Sequence, residues 1–226
     1  MLLHRAREPE VVGEFASVVA AAARSEALDS LAELNAQCME LLYEQALAQP
    51  AQTNLFLHHV GELWRSLDTQ AQRRAAACPY LLVDAGFCDP GHWRWLDERH
   101  VNEAPPPPYN TFFTVPRAPT IARQIFMYVW HLVQSRNLTA QLLLGVPTPC
   151  ARLIGACTLR QVHGLAERHP DWLRPRWPNR VKLWRELLLA AASGEAIALE
   201  NTHMYGLQLL AGELRAAALR GIGNQT

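Results

Sequence analysis

Lysine is almost missing from this chain: Lys182 stands alone beside 20 arginines in 226 residues. A cationic complement made of arginine fits bidentate contacts to phosphate or carboxylate, and it fits a coding bias equally well. No apolar stretch reaches eighteen residues before an Arg, Gln or Glu interrupts it, so no transmembrane span is expected. Met1-Leu-Leu-His-Arg5 is not a basic region followed by an apolar run, and no signal peptide is expected from it. Cysteine is sparse and odd in number, at 38, 78, 88, 150 and 157, which points to free thiols in a reducing cytoplasm. Neither Cys78–Cys88 nor Cys150–Cys157 has zinc-ribbon spacing. A glycine-rich phosphate loop and a Gly-x-Ser-x-Gly elbow are both missing, and no Ser, His and acid can be tied into a triad. An enzyme is therefore not expected.

Net charge is also lacking, with 21 basic and 21 acidic residues, but its distribution is uneven. Residues 1–116 carry 8 arginines against 15 acids, and residues 117–185 carry 11 basic residues against 2 acids. Such a basic block is the footprint of a lobe that binds phosphate or an acidic surface. It is equally what two docked lobes of opposite sign would show. Hydrophobic residues make up 50% and charged residues 19%, a globular composition.

Helical spacing dominates what is there. Val11–Ala23 is apolar and rich in alanine, and Leu28, Leu31, Leu34, Cys38, Leu41 and Leu42 recur at helical intervals up to Pro50. Phe56, Val60, Leu63, Trp64 and Leu67 follow a cap at Thr53 or Asn54, and Asp68-Thr69 restarts a short helix. The segment from Cys78 to Phe87 reads as a buried connector, and Asp89-Pro90 opens a helix through Trp93. Pro105–Pro108, with Pro116 and Pro119, marks the clearest boundary, since consecutive prolines adopt polyproline II and cannot enter a helix. Tyr109, Phe112 and Phe113 follow at once, so this linker is expected to pack. Ile121 to Val133 forms an amphipathic helix. Others run from Val181 to a stop at Ser193-Gly194 and along Leu207, Leu210, Leu214 and Ala217. The expected fold is all-α with two helical lobes, residues 1–100 and 121–226, joined by an extended linker over 101–120.

Residues 133–167 have the layout of a helix-turn-helix. An apolar run ends at Leu144-Gly145-Val146. Thr148-Pro149 opens a second helix, with Thr148 as its cap, and Thr158-x-x-Gln161 is a capping box for a third. Arg152 and Arg160 lie near the starts of these helices, from where a recognition helix reaches base edges; a solvated face is the plainer reading. Arg174, Arg176, Arg180 and Lys182 form a basic patch among Trp172, Trp177 and Trp184, suited to clamping phosphate or simply to packing with snorkelling arginines. Glu200-x-x-His203 has the spacing of a di-metal carboxylate motif, but only one copy is present, and neither a metal nor another cofactor is expected.

Several of these residues fall in one register. Ala140, Leu144, Gly145, Val146, Ala151, Leu159, Gln161, Leu165, Ala166, Glu167, Arg174, Arg176 and Trp177 follow without a gap. Leu199, His203 and an apolar helix through Leu210 come further on. This stretch resembles the flagellar transcriptional activator FlhD family, whose chains are roughly half as long. Residues 1 to about 115 have no counterpart there, and Leu143 stands where the family often carries Arg. The resemblance implies a cytoplasmic transcriptional regulator that acts as a helical homodimer with DNA and a partner regulatory subunit. The expected dimer interface is the helix from Ile121 to Val133 or the one holding Leu207 and Leu210. Two other readings stay open: a helical interaction module without DNA binding, and a di-metal helical enzyme.

Overall fold

A computed structural model describes residues 26–48, 54–89, 93, 112–135 and 142–223. The architecture is all-α. Helices α1 (Glu26–Ala48), α2 (Leu55–Ser66), α3 (Thr69–Ala76) and α4 (Ala118–Gln134) precede α5 (Thr148–Ala156), α6 (Leu159–Arg168), α7 (Val181–Ser193) and α8 (Ala196–Gly223). One two-residue ladder is embedded among them: β1 (Val83–Asp84) runs antiparallel to β2 (Arg174–Pro175).

Local chemistry sets the helix ends. Asn54 Oδ1 accepts from the amides of Phe56 and Leu57, which starts α2, and Asp68 Oδ1 accepts from Ala71 N to start α3. Thr158 and Gln161 form the expected capping box on α6. Helix α5 begins one residue earlier than the sequence suggests. Pro147 occupies the cap position and Thr148 is already helical, so the Thr148 side chain does not cap. Gly194, at φ 73°, closes α7 in the left-handed conformation. There Arg74 Nε donates to the Ala191 carbonyl at 2.6 Å, so a residue of the first half satisfies a helix end in the second.

The expected extended segment over 101–120 stops short, because Ala118–Thr120 belong to α4. Pro119 sits in the first turn, where its missing amide hydrogen costs nothing. Just before it, Phe112, Phe113 and Val115 are buried, and Gln45 pairs with both the amide and the hydroxyl of Thr114. The Pro105–Pro108 run and the expected helix over Val11–Ala23 lie outside the described residues, as does all but Trp93 of the helix expected after Asp89-Pro90.

Two separate lobes do not describe the packing. A single apolar core takes in Leu31 and Leu42 of α1, Trp64 of α2, Ile125 and Phe126 of α4, and Trp184 and Leu188 of α7. Helix α7 is the reason. Its apolar face packs on α2 and α3, with the Trp184 ring 5.5 Å from Phe56 and 5.6 Å from Trp64. The other face of this assembly is α4, which carries α5 and α6. Ile121, Ile125, Phe126, Val129, Leu132 and Val133 are all buried within the chain, and so are Leu207 and Leu210. Both apolar faces expected at a dimer interface are therefore already covered.

The connector Tyr80–Val83 runs through the middle and is fully buried. Its backbone groups need partners, and Asn35 of α1 supplies three: Nδ2 donates to the carbonyls of Cys78 and Tyr80, and Oδ1 accepts from Leu82 N. Asn35 is itself 0% exposed. Replacing it by alanine would strand buried backbone groups at about 1–3 kcal/mol each. Asn35→Ala should therefore lower the unfolding free energy by at least about 3 kcal/mol in urea titration. A loss under about 1 kcal/mol would show that the connector is held some other way.

Candidate functional site

The arginines singled out in the sequence fall into three environments. Arg176 is 2% exposed and lies at the centre of the molecule. Its Nε donates to the Leu81 carbonyl at 2.8 Å and its Nη2 to the Leu144 carbonyl at 2.7 Å, while Nη1 stands 3.6 Å from Glu213. Its amide donates to Leu82 O, and its carbonyl accepts from Trp184 Nε1. Four segments thus converge on one residue: the buried connector, the Leu144-Gly145 turn, α7 and α8. Its guanidinium has no open face for a phosphate, so Arg176 is withdrawn from the candidate DNA contacts.

The neighbouring positions serve the same junction. Arg174 is partly exposed but reaches Asp84 at 3.1 Å across the β1–β2 ladder. Burial alone pushes the Asp84 carboxyl up, and the charges of Arg176 and Arg174 outweigh it and hold the group below the usual carboxylate range. Trp177 adopts φ 51°, a left-handed conformation that costs a non-glycine residue roughly 1–2 kcal/mol. It is fixed by its Nε1, which donates to Glu213 at 2.6 Å, and by its ring against Tyr80. Gly145, at φ 69°, has Arg176 Nη1 2.8 Å from where a β-carbon would stand. Leu-Gly and Arg-x-Arg-aromatic, two of the motifs carrying the FlhD resemblance, are therefore the two sides of one internal clamp.

Arg152 and Arg160 are the second environment. Both are exposed, on α5 and on the first turn of α6, and neither has an ion pair among the described residues. Both short helices rest on α4, with Cys150, Ala151 and Ile154 of α5 and Val162, Leu165 and Ala166 of α6 turned inward. Arg168 is exposed at the end of α6, and Glu167 beside it is engaged by Arg123 at 3.2 Å. The outer surface of α6 is basic on balance.

Arg180 and Lys182 are the third. They stand at the start of α7, where Arg180 occupies the cap position and Lys182 lies 3.7 Å from Glu186. Both border a groove between α7 and α8 that the sequence did not reveal. It consists of two adjoining cavities of about 600 and 580 Å³ that share Glu186 and Tyr205. The available signal was the solvent-facing Leu189, Ile197 and Tyr205, which helical periodicity alone does not separate from core positions.

Metal-ligand spacing was not realised as a cluster. Among the described residues no three His, Cys, Asp or Glu side chains gather, and Glu200 is exposed while His203 is mostly buried. Burial also pushes the Cys157 thiol up to about 11, away from thiolate chemistry. No helix among the described residues is long and apolar enough to cross a membrane. No family model, no curated protein and no solved structure matches this chain.

Two measurements follow from these environments. Arg176→Ala should cost about 2–6 kcal/mol of stability, since it strands the buried carbonyls of Leu81 and Leu144 at about 1–3 kcal/mol each, whereas Arg174→Ala should cost less, because the Arg174 side chain is open to water and Arg176 still faces the Asp84 carboxylate. Similar losses in urea titration would contradict the difference in depth. The second concerns His203, whose Nε2 is enclosed without a hydrogen-bond partner. Burial holds its pKa below the ordinary value of about 6.5. The unfolded chain then takes up a proton that the folded chain resists. Stability is full above about pH 6.5 and declines as pH falls through it. His203→Leu should shrink the stability difference between pH 7.5 and 5.5, and an unchanged difference would assign the acid sensitivity elsewhere.

Proposed function

We propose that this chain is a helical transcriptional regulator that meets DNA through α5 and α6. One observation carries the reading. Two short helices with a capped two-residue turn between them sit on a long supporting helix. They leave Arg152 and Arg160 exposed and without an ion pair among the described residues. A helix-turn-helix docks in this way, with the first turn of its second helix towards the bases. The resemblance to the FlhD family supports the same reading, and with it a cytoplasmic setting, a homodimer and a partner regulatory subunit. Arg174 and Arg176 take no part in the DNA contact, and Arg180 and Lys182 lie at the mouth of a different groove.

A second reading is favoured by the pairing of arginines with acids of the same chain. Part of the positive charge meets acids of the first half: Arg174 meets Asp84, and Arg117 meets Glu40 at 3.0 Å and Glu44 at 2.6 Å. A chain that neutralises part of its basic block with its own acids suits an interaction module without DNA binding.

Fluorescence anisotropy with a mixed-sequence duplex over a range of salt separates the two. Each neutralised phosphate contributes a slope of about −0.9 in the logarithm of affinity against the logarithm of salt. Replacing Arg152 and Arg160 together by alanine should flatten the slope by the amount expected for up to about two phosphates. It should also reduce sequence preference, by about 1–3 kcal/mol for each bidentate arginine–base pairing that the substitution removes. If the wild-type chain binds no duplex at low salt, the DNA reading fails and the interaction module stands.

A further inference from the structure

Gly164 is the residue of α6 that the fold does not explain. It stands in the interior of the helix, where glycine is the weakest helix former after proline. Helix geometry sets it on the side turned away from the buried Val162, Leu165 and Ala166. A β-carbon added there would meet only the Arg168 guanidinium, 3.5 Å from Nη2 and 3.8 Å from Cζ, which is ordinary contact with the far end of a flexible side chain. Gly145 and Gly206 differ, because at those two positions a β-carbon has no room. No internal packing requires the missing side chain of Gly164.

The residues around it point to what comes close. Arg160 and Arg168 lie one turn before and one turn after Gly164, about 12 Å apart along the helix axis. Both are exposed, and neither has an ion pair among the described residues. The one acid of α6, Glu167, is neutralised by Arg123 of α4 at 3.2 Å, and His163 is half-buried on the flank. The outer face is a convex ridge with a cation towards each end and a bare turn between them. Such a ridge fits a concave surface whose walls carry negative charge and whose floor is approached closely. The major groove of B-form DNA has this shape: it is about 12 Å wide, admits an α-helix, and presents base edges at its floor between walls of phosphate.

We propose that α6 enters the major groove at Gly164, so that its bare turn meets the base edges directly. The inference rests on the DNA reading of α5 and α6, and it gives roles to two residues that reading leaves aside. Gly164 sets the depth of insertion, because a side chain there would hold the helix backbone off the floor. Arg168 swings from its place over Gly164 to a phosphate on the groove wall, while Arg160 keeps its base contact one turn away. Side-chain rearrangement of this kind is common on binding.

The test uses the full chain. The wild type selects from a pool of duplexes with a randomised centre, and fluorescence anisotropy compares the enriched duplex with a mixed-sequence one. A defined sequence should be enriched. Gly164→Leu should bind that duplex about tenfold more weakly, the scale of one lost base contact, and bind the mixed duplex as the wild type does. Gly164→Ala should show a smaller loss in the same direction and melt no lower than the wild type, since alanine is the better helix former. It carries the test if the leucine variant does not fold. Arg168→Ala should flatten the salt slope by about 0.9, the share of one phosphate, and an unchanged slope removes Arg168 from the contact. A wild type that binds no duplex removes the DNA reading and this inference together. If the wild type selects a sequence and the Gly164 variants bind it equally well, this inference alone fails. A loss shared by both duplexes, or no enrichment at all, overturns it, because the helix then stops short of the bases. Equal affinity for double-stranded RNA of the enriched sequence overturns it too, since the A-form major groove is too narrow to be read.

Discussion

A buried guanidinium holds this structure together. Arg176 carries a full charge where water does not reach, and such a charge is tolerated only when its donors are matched and a counter-charge is near. The fold meets that demand with two carbonyls from segments far apart in sequence and a glutamate from the last helix. Each partner is constrained in turn. The connector must run extended past Arg176, the Gly145 turn must leave room for it, and α8 must place Glu213 over it. A second close approach locks the same helix, because Gly206 of α8 lies against the Tyr80 phenol with no space for a side chain.

This dependence recasts the uneven charge of the sequence. The acidic first half and the basic middle are not two independent surfaces. Arg117 and Arg174 bridge them by ion pairs, and Arg74 bridges them by capping α7. The Arg117 pairs are open to water and contribute little to stability, about 0–1 kcal/mol each. Their effect is on orientation, and the exposed Arg152 and Arg160 of α5 and α6 take no part in them.

Much of the fold was legible because it rests on local rules. Helix spacing found α1, α2, α4 and α7, and Asp68, Thr158 with Gln161, and Gly194 marked helix ends as their chemistry requires. What stayed hidden is set by depth and by distance along the chain. Sequence shows that Arg176 is charged and lies among tryptophans, which fits a phosphate clamp and an internal strut equally. The β1–β2 pairing is two residues long, too short for any periodicity, and joins positions 90 residues apart. Asn35 sits in a helix full of apolar residues and carries no mark of its three backbone contacts. The sequence sets Arg152 and Arg160 at helix starts and Arg174, Arg176, Arg180 and Lys182 in a basic patch, and nothing in it marks Arg176 as the buried member of that patch.

The cap that Arg74 places on α7 spans 117 residues of sequence, and the Arg176 bond to Leu81 spans 95. Contacts of such separation make folding slow, because the chain loses its freedom before it gains the bond. During synthesis α1, α2 and α3 emerge well before the helix that covers them. Trp64 and Phe56 lack their Trp184 partner until α7 has left the ribosome. For that interval the growing chain has an apolar surface without its native cover, the condition under which unfinished chains aggregate.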